Sequence, residues 1–74
     1  MLTVTRAFSG ARLRAIRQER KLTQAQTARM SGIPLDTYRD YETGKYAPSA
    51  DRLAALATAL NIAIDDLFAD VDQE

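Results

Sequence analysis

Thr23–Glu42, TQAQTARMSGIPLDTYRDYE, decides how this chain reads: two short helical patterns joined by a Ser31-Gly32-Ile33 corner. Thr23 is placed to cap the first helix, and Gln26, three residues on, to close a capping box. The pattern runs through Met30. Gly32 then supplies the left-handed conformation that ends a helix cheaply, and Pro34 favours a new start at or just after itself. The second helix is read from Leu35 to about Glu42. Tyr38 and Tyr41, three apart, share one of its faces, while Leu35, Asp36, Arg39 and Asp40 point largely elsewhere. One side packs and the other is free.

A helix, a short Gly-containing corner and a second helix with a solvated face have the form of a DNA-binding helix-turn-helix. Helical hairpins in ordinary bundles have the same form, so the pattern alone leaves both readings open.

Composition narrows the classes. The 74 residues are 46% hydrophobic and 27% charged, enough for one small globular domain. No apolar run reaches the roughly eighteen residues of a membrane span. The opening MLTVTRAFSG lacks the apolar core of a signal peptide, and a cytoplasmic protein without membrane contact is expected. The absence of both His and Cys removes the commonest general base, the thiol nucleophile and nearly all transition-metal ligands. Neither enzymatic activity, nor a metal, nor a cofactor is expected.

Net charge is zero, which at first argues against a polyanionic partner. The distribution reverses that argument. Residues 1–45 hold nine basic against four acidic side chains, a net +5, and residues 46–74 hold one against six, a net −5. The positive half is the half with the helix-turn-helix pattern.

Outward from the motif, residues 1–8 lack a periodic pattern and read as a flexible tail, with a domain over 9–69 and an acidic tail over 70–74. Ser9 caps a first helix from Gly10 to about Arg20, whose few apolar positions, Leu13 and Ile16, draw Arg17 toward the core. The remaining Arg side chains of that helix read as a solvated face. Thr43–Pro48 is a loop by its Gly and Pro. Ser49 caps a fourth helix that repeats Leu53, Leu56, Ala57 and Leu60 along one buried stripe, and Asp65 and Asp66 begin a short final turn of helix. With no strand pattern the expectation is an all-α, compact five-helix fold.

LRAIRQERKLTQAQTARMSGIP, YETGK, Pro48-Ser49 and LAALATALNIAIDDLF, in this order and spacing, resemble the Xre/Cro-like (lambda-repressor-like) helix-turn-helix domains over residues 9–68. The resemblance implies that helices 2 and 3 form the motif. Leu35, Asp36, Arg39 and Asp40 would then face the major groove, with residues 35–41 reading it. Gln24 would touch phosphate or base, and Thr37, Thr43 and Lys45 would hold the DNA backbone, a division in which phosphate contacts position and base contacts specify. It implies, too, a structural ion pair between Arg17 and Glu42; the rival reading of Glu42 is a surface carboxylate.

The sequence departs from the family pattern in two respects. Thr27 stands where the family usually has Leu, leaving volume for Tyr38 and Tyr41. Asp36 and Asp40 put carboxylates on a face meant for a polyanion. They are read either as local charge complements, to the helix N-terminus and to Arg39, or as acceptors for cytosine. Tyr46 is read either as a phosphate hydrogen bonder or as a lid over the fourth helix.

The expected function is a sequence-specific transcriptional regulator on double-stranded DNA, acting as a homodimer with Ile62, Ile64, Phe68 and Val71 as the candidate interface. The alternative is an antitoxin or anti-repressor type module that holds a regulatory protein partner on the same fold.

Overall fold

The structure, a computed structural model, describes residues 3–73. In chain order the elements are β1 (Thr3–Phe8), α1 (Gly10–Glu19), α2 (Gln24–Ser31), α3 (Leu35–Thr43), α4 (Ala50–Leu60), a 3-10 turn (Ile64–Leu67) and β2 (Phe68–Gln73).

Each helix starts and stops where local chemistry directs. The Ser9 hydroxyl accepts from the Arg12 amide at 3.2 Å and Ser49 from the Arg52 amide at 3.3 Å. Thr23 and Gln26 close their box with bonds of 3.0 and 2.8 Å. Gly32 ends α2 at φ +69° and Gly44 ends α3 at φ +83°, conformations that a side chain would strain. Asn61, which tolerates the same region, ends α4 at φ +56°.

The apolar faces of the helices meet in one core. Leu13, Tyr38, Leu56, Leu60 and Leu67 are fully buried there, and each of the leucines is worth about 1.5–3 kcal/mol over leaving it in water. Thr27 is also fully buried; its hydroxyl donates to the Thr23 carbonyl at 3.1 Å, so the smaller side chain leaves no unpaired polar group. Tyr41 receives a bond from Arg52 Nη1 at 2.9 Å on its hydroxyl, and the Phe8 ring stands edge-on to it at 6.5 Å.

The five-helix expectation is corrected. Among the described residues there are four α-helices, one 3-10 turn where a fifth helix was expected, and a two-stranded sheet. The expected flexible tail over residues 1–8 is a strand from Thr3, and the expected acidic tail over 70–74 continues β2 as far as Gln73; Met1, Leu2 and Glu74 lie outside the described residues. The two strands pair antiparallel, from Phe8 opposite Phe68 at the base to Thr3 opposite Gln73 at the tip. Arg6 fastens the ribbon: its guanidinium reaches the Phe68 carbonyl at 3.0 Å and the Asp65 and Asp70 carboxylates at 3.3 and 3.6 Å. At the base the Ser9 amide bonds the Leu67 carbonyl at 2.8 Å. The pairing was illegible because its two halves sit at opposite ends of the chain and neither has a long alternating pattern.

The molecule measures 42 × 21 × 21 Å, an elongation that accords with a six-residue ribbon, about 20 Å long, standing off the helical body.

Candidate nucleic-acid interface

The inner side of α3 is fixed by a cluster centred on the Glu42 carboxylate. Arg17, from α1, donates through Nε to Oε2 at 2.6 Å and through Nη2 to Oε1 at 3.1 Å. The Tyr38 hydroxyl donates to Oε2 at 2.5 Å, and Gln24, from α2, donates to Oε1 at 3.0 Å. Arg17 donates a further proton to the Leu22 carbonyl at 2.8 Å. Three helices are thus tied at one carboxylate, whose side chain is 3% exposed; a two-pronged, charge-assisted contact of this kind fixes angle as well as distance.

The electrostatics follow from that geometry. Burial opposes ionisation of Glu42, but the bonds from Arg17, Tyr38 and Gln24 outweigh it and hold the carboxyl below its ordinary range. The Tyr38 hydroxyl is pushed up, first by burial and then by the bond to the Glu42 carboxylate. The bond to Glu42 likewise raises Arg17, so the pair stays charged.

Gly10 seats the other side of the joint, a role with no direct sign in the residue pattern. A methyl group built there would lie on the Tyr41 carbonyl oxygen and within 2.6 Å of that of Glu42, so α1 approaches the last turn of α3 as closely as backbone permits.

With Tyr38, Tyr41 and Glu42 turned inward, the opposite side of α3 faces solvent. The Asp36 side chain is 98% exposed, and Arg39 lies loosely beside it at 3.8 Å. Thr43 is exposed, and its hydroxyl donates back to the Asp40 carbonyl at 3.1 Å. Lys45 is exposed past the left-handed Gly44, its ammonium 5.6 Å above the Tyr46 ring. Tyr46 is itself 58% exposed, which removes the reading of a lid over α4.

The expected set does not fall on one equally open surface. Leu35 is half-buried and packs against the core, and Thr37 and Asp40 are half-buried. Gln24 donates an amide proton to Glu42, so part of its bonding capacity is internal. The basic side chains of the first half divide similarly: Arg6, Arg12, Arg17 and Arg20 all donate to groups within the molecule. Arg14 stands exposed at a cleft that it lines with Thr23, Gln24, Glu42 and Thr43, at the junction of α1, α2 and the end of α3. Reading the Arg-rich helix as a uniform solvated face missed it. Its spacing of three from the buried Arg17 was the available signal, since residues three apart share a helix face.

A helix-turn-helix family model matches residues 13–67. The chain belongs to that family, the Xre/lambda-repressor-like helix-turn-helix. Among relatives, it is 44% identical over 55 residues to the immunity repressor protein of Bacillus phage phi105, a match covering 74% of this chain and 38% of that one. It is 47% identical over 45 residues to the cryptic phage CTXphi transcriptional repressor RstR of Vibrio cholerae, covering 61% of this chain and 40% of that one. The chain therefore spans about two fifths of the length of these two curated relatives. Its fold superposes with a TM-score of 0.77 on the P22 c2 repressor, solved in complex with a synthetic operator, at 31% identity over 82% of this chain and 92% of that one. No helix among the described residues is long and apolar enough to cross a membrane.

Proposed function

We propose that this helix-turn-helix chain is the DNA-binding part of a sequence-specific transcriptional regulator that lays the outer side of α3 in the major groove of double-stranded DNA. The observation that carries the reading is the division of α3 itself: Tyr38, Tyr41 and Glu42 locked inward by Arg17 and Gln24, with Asp36, Arg39, Thr43 and Lys45 left to solvent. A rigidly held helix with an open polar face is what major-groove readout needs, because base edges discriminate only when the side chains arrive at fixed positions. The likeness to a repressor solved on its operator supports the same reading.

Within it, Arg39 is assigned to a base edge, guanine being the partner its fork fits, and Asp36 and Asp40 to acceptance from cytosine or to neutralising Arg39. Thr43 and Lys45 hold phosphate. Gln24 and Thr37 do so with the bonding capacity their local contacts leave, and Leu35 offers only its half-exposed edge to a thymine methyl. The regulator acts as a homodimer, since one short helix rarely supplies enough affinity and two-fold proteins read half-sites about 10 to 10.5 base pairs apart.

Selection of bound fragments from a random duplex pool tests the proposal. Enrichment of a two-fold symmetric sequence is expected, with affinity that falls steeply with salt because binding displaces counterions from the neutralised phosphates. Recovery of unenriched sequence would overturn sequence-specific readout, and no duplex binding at about 50 mM salt would overturn the proposal in favour of a protein-holding module.

A further inference from the structure

The groove contact proposed above uses no residue of the terminal ribbon, and the homodimer proposed with it needs an interface. Resting on that homodimer, we infer that a second copy of this chain pairs antiparallel with the free edge of β1, about a two-fold axis through Thr5, joining two ribbons into a four-stranded sheet.

Two strands make an incomplete sheet. β1 and β2 hydrogen-bond each other and, among the described residues, no third strand, so each presents an outer row of backbone donors and acceptors. An isolated two-stranded ribbon is marginal in water, and an unpaired edge is a template for another chain. The question is which edge accepts a copy of itself.

Charge and symmetry decide it. A two-fold axis perpendicular to a sheet keeps each ribbon face on its own side, so only residues an even number of positions apart in sequence meet across it. In β2, FADVDQ, an axis at Val71 sets Asp70 against Asp72 of the second copy, twice. An axis at Asp70 sets that carboxylate against its own image, and one at position 72 would pair only residues 71–73 of the described strand. Like charges directly opposite destabilise a pair, and an axis at Ala69 would pair only residues 68–70 of the strand, so this edge is closed.

In β1, TVTRAF, an axis at Thr5 sets Val4 opposite Arg6 and Thr3 opposite Ala7, with no like charges. An axis at Arg6 would oppose the two guanidinia, and one at Val4 would pair only residues 3–5 of the described strand. Arg6 is already neutralised within its own chain by Asp65 of the 3-10 turn and Asp70 of β2, and Thr and Val suit a strand. Pairing β1 with β2 of another copy would satisfy charge but not close, and would grow into open assemblies.

This places the contact elsewhere than the apolar patch expected from the sequence. Ile62 and Phe68 pack against the monomer core, leaving Ile64 and Val71 exposed.

The test uses the full chain, which has no native cysteine. Oxidised Thr5→Cys is expected to form a disulfide-linked dimer, since directly opposed strand residues lie within disulfide reach, and Val71→Cys is expected to form none. Thr5→Asp and Thr5→Lys are exposed-site changes. Each should raise the dimer dissociation constant about tenfold in sedimentation equilibrium, and their equimolar mixture should restore the dimer. Equal crosslinking by the two cysteine variants, unchanged association of both charge variants, a monomeric parent chain, or mass that keeps rising with concentration would each overturn the interface. Duplex binding separates the two readings. Operator affinity that survives while the Thr5 variants behave as the parent removes the interface alone, whereas a Thr5-dependent dimer that ignores duplex DNA upholds the interface and removes the DNA reading.

Discussion

Arg17 and Glu42, 25 residues apart, meet in a two-pronged ion pair that fastens α1 to the end of α3, with Gln24 and Tyr38 donating to the same carboxylate. The pair is held in the interior, where it sets geometry more than it adds stability, but removal of one member leaves the other stranded. Glu42→Gln is expected to cost about 3 kcal/mol. At about 4–8 °C per kcal/mol for a domain this size, the thermal midpoint followed by circular dichroism falls by about 12 °C or more. An unchanged midpoint would show that the cluster is not what holds α3.

Acid should undo the same joint. The Glu42 carboxyl sits lower in the folded chain than the value of about 4.3 it has unfolded. Its contribution is therefore complete above that value and is lost as pH falls through the folded one. Urea midpoints measured from pH 7 downward are expected to drop below about pH 4.3, and the drop should be shallower in Glu42→Gln. Parallel curves for the two proteins would contradict this.

Gly10→Ala forces a methyl group onto the carbonyl oxygens of Tyr41 and Glu42, which are backbone and cannot swing away. Overpacking of this kind costs about 1–3 kcal/mol. Although Ala is the better helix former, the expected result is a lower denaturation midpoint, checked against Ala11→Gly, which lies exposed on the same helix and should lose only about 1 kcal/mol.

The outer face of α3 separates two kinds of contact. Arg39→Ala should relax preference at one base position at a cost of about 1–3 kcal/mol. Lys45→Ala should weaken binding to all sequences alike and reduce the salt slope by about one, and Arg14→Ala, at the neighbouring cleft, should behave like Lys45→Ala. Fluorescence titrations over a salt series with matched and mismatched duplexes give both quantities. An Arg39→Ala protein with undiminished sequence preference would remove that residue from base readout.

Much of the helical body was legible because its signals are local. The Thr23–Gln26 box, the left-handed Gly32 and the Ser9 and Ser49 caps each depend on residues within a turn of one another, and each stands where the residue type directs. The inward pull on Arg17 was legible too, from its place beside Ile16 on a helix with few apolar positions. What escaped was set by contacts distant in the chain. The β1–β2 ribbon joins residues more than fifty positions apart, and its short, charged strands carry no period strong enough to mark them. Gly10 escaped because a glycine near a helix start looks permissive, whereas here it is demanded by the carbonyls of α3. Within the candidate site, residue types announced a polar face but not how much of it internal bonds and core packing would consume, as Gln24 and Leu35 respectively illustrate.

Amide chemical-shift mapping of the full chain with a duplex is the most direct test of how α3 is used. The account predicts that the largest changes fall on Gln24 and residues 35–45, with Arg14 affected at the flanking cleft, while the ribbon and the buried face of α4 stay in place. Shifts confined to another surface, with residues 35–45 unmoved at saturating duplex, would contradict it.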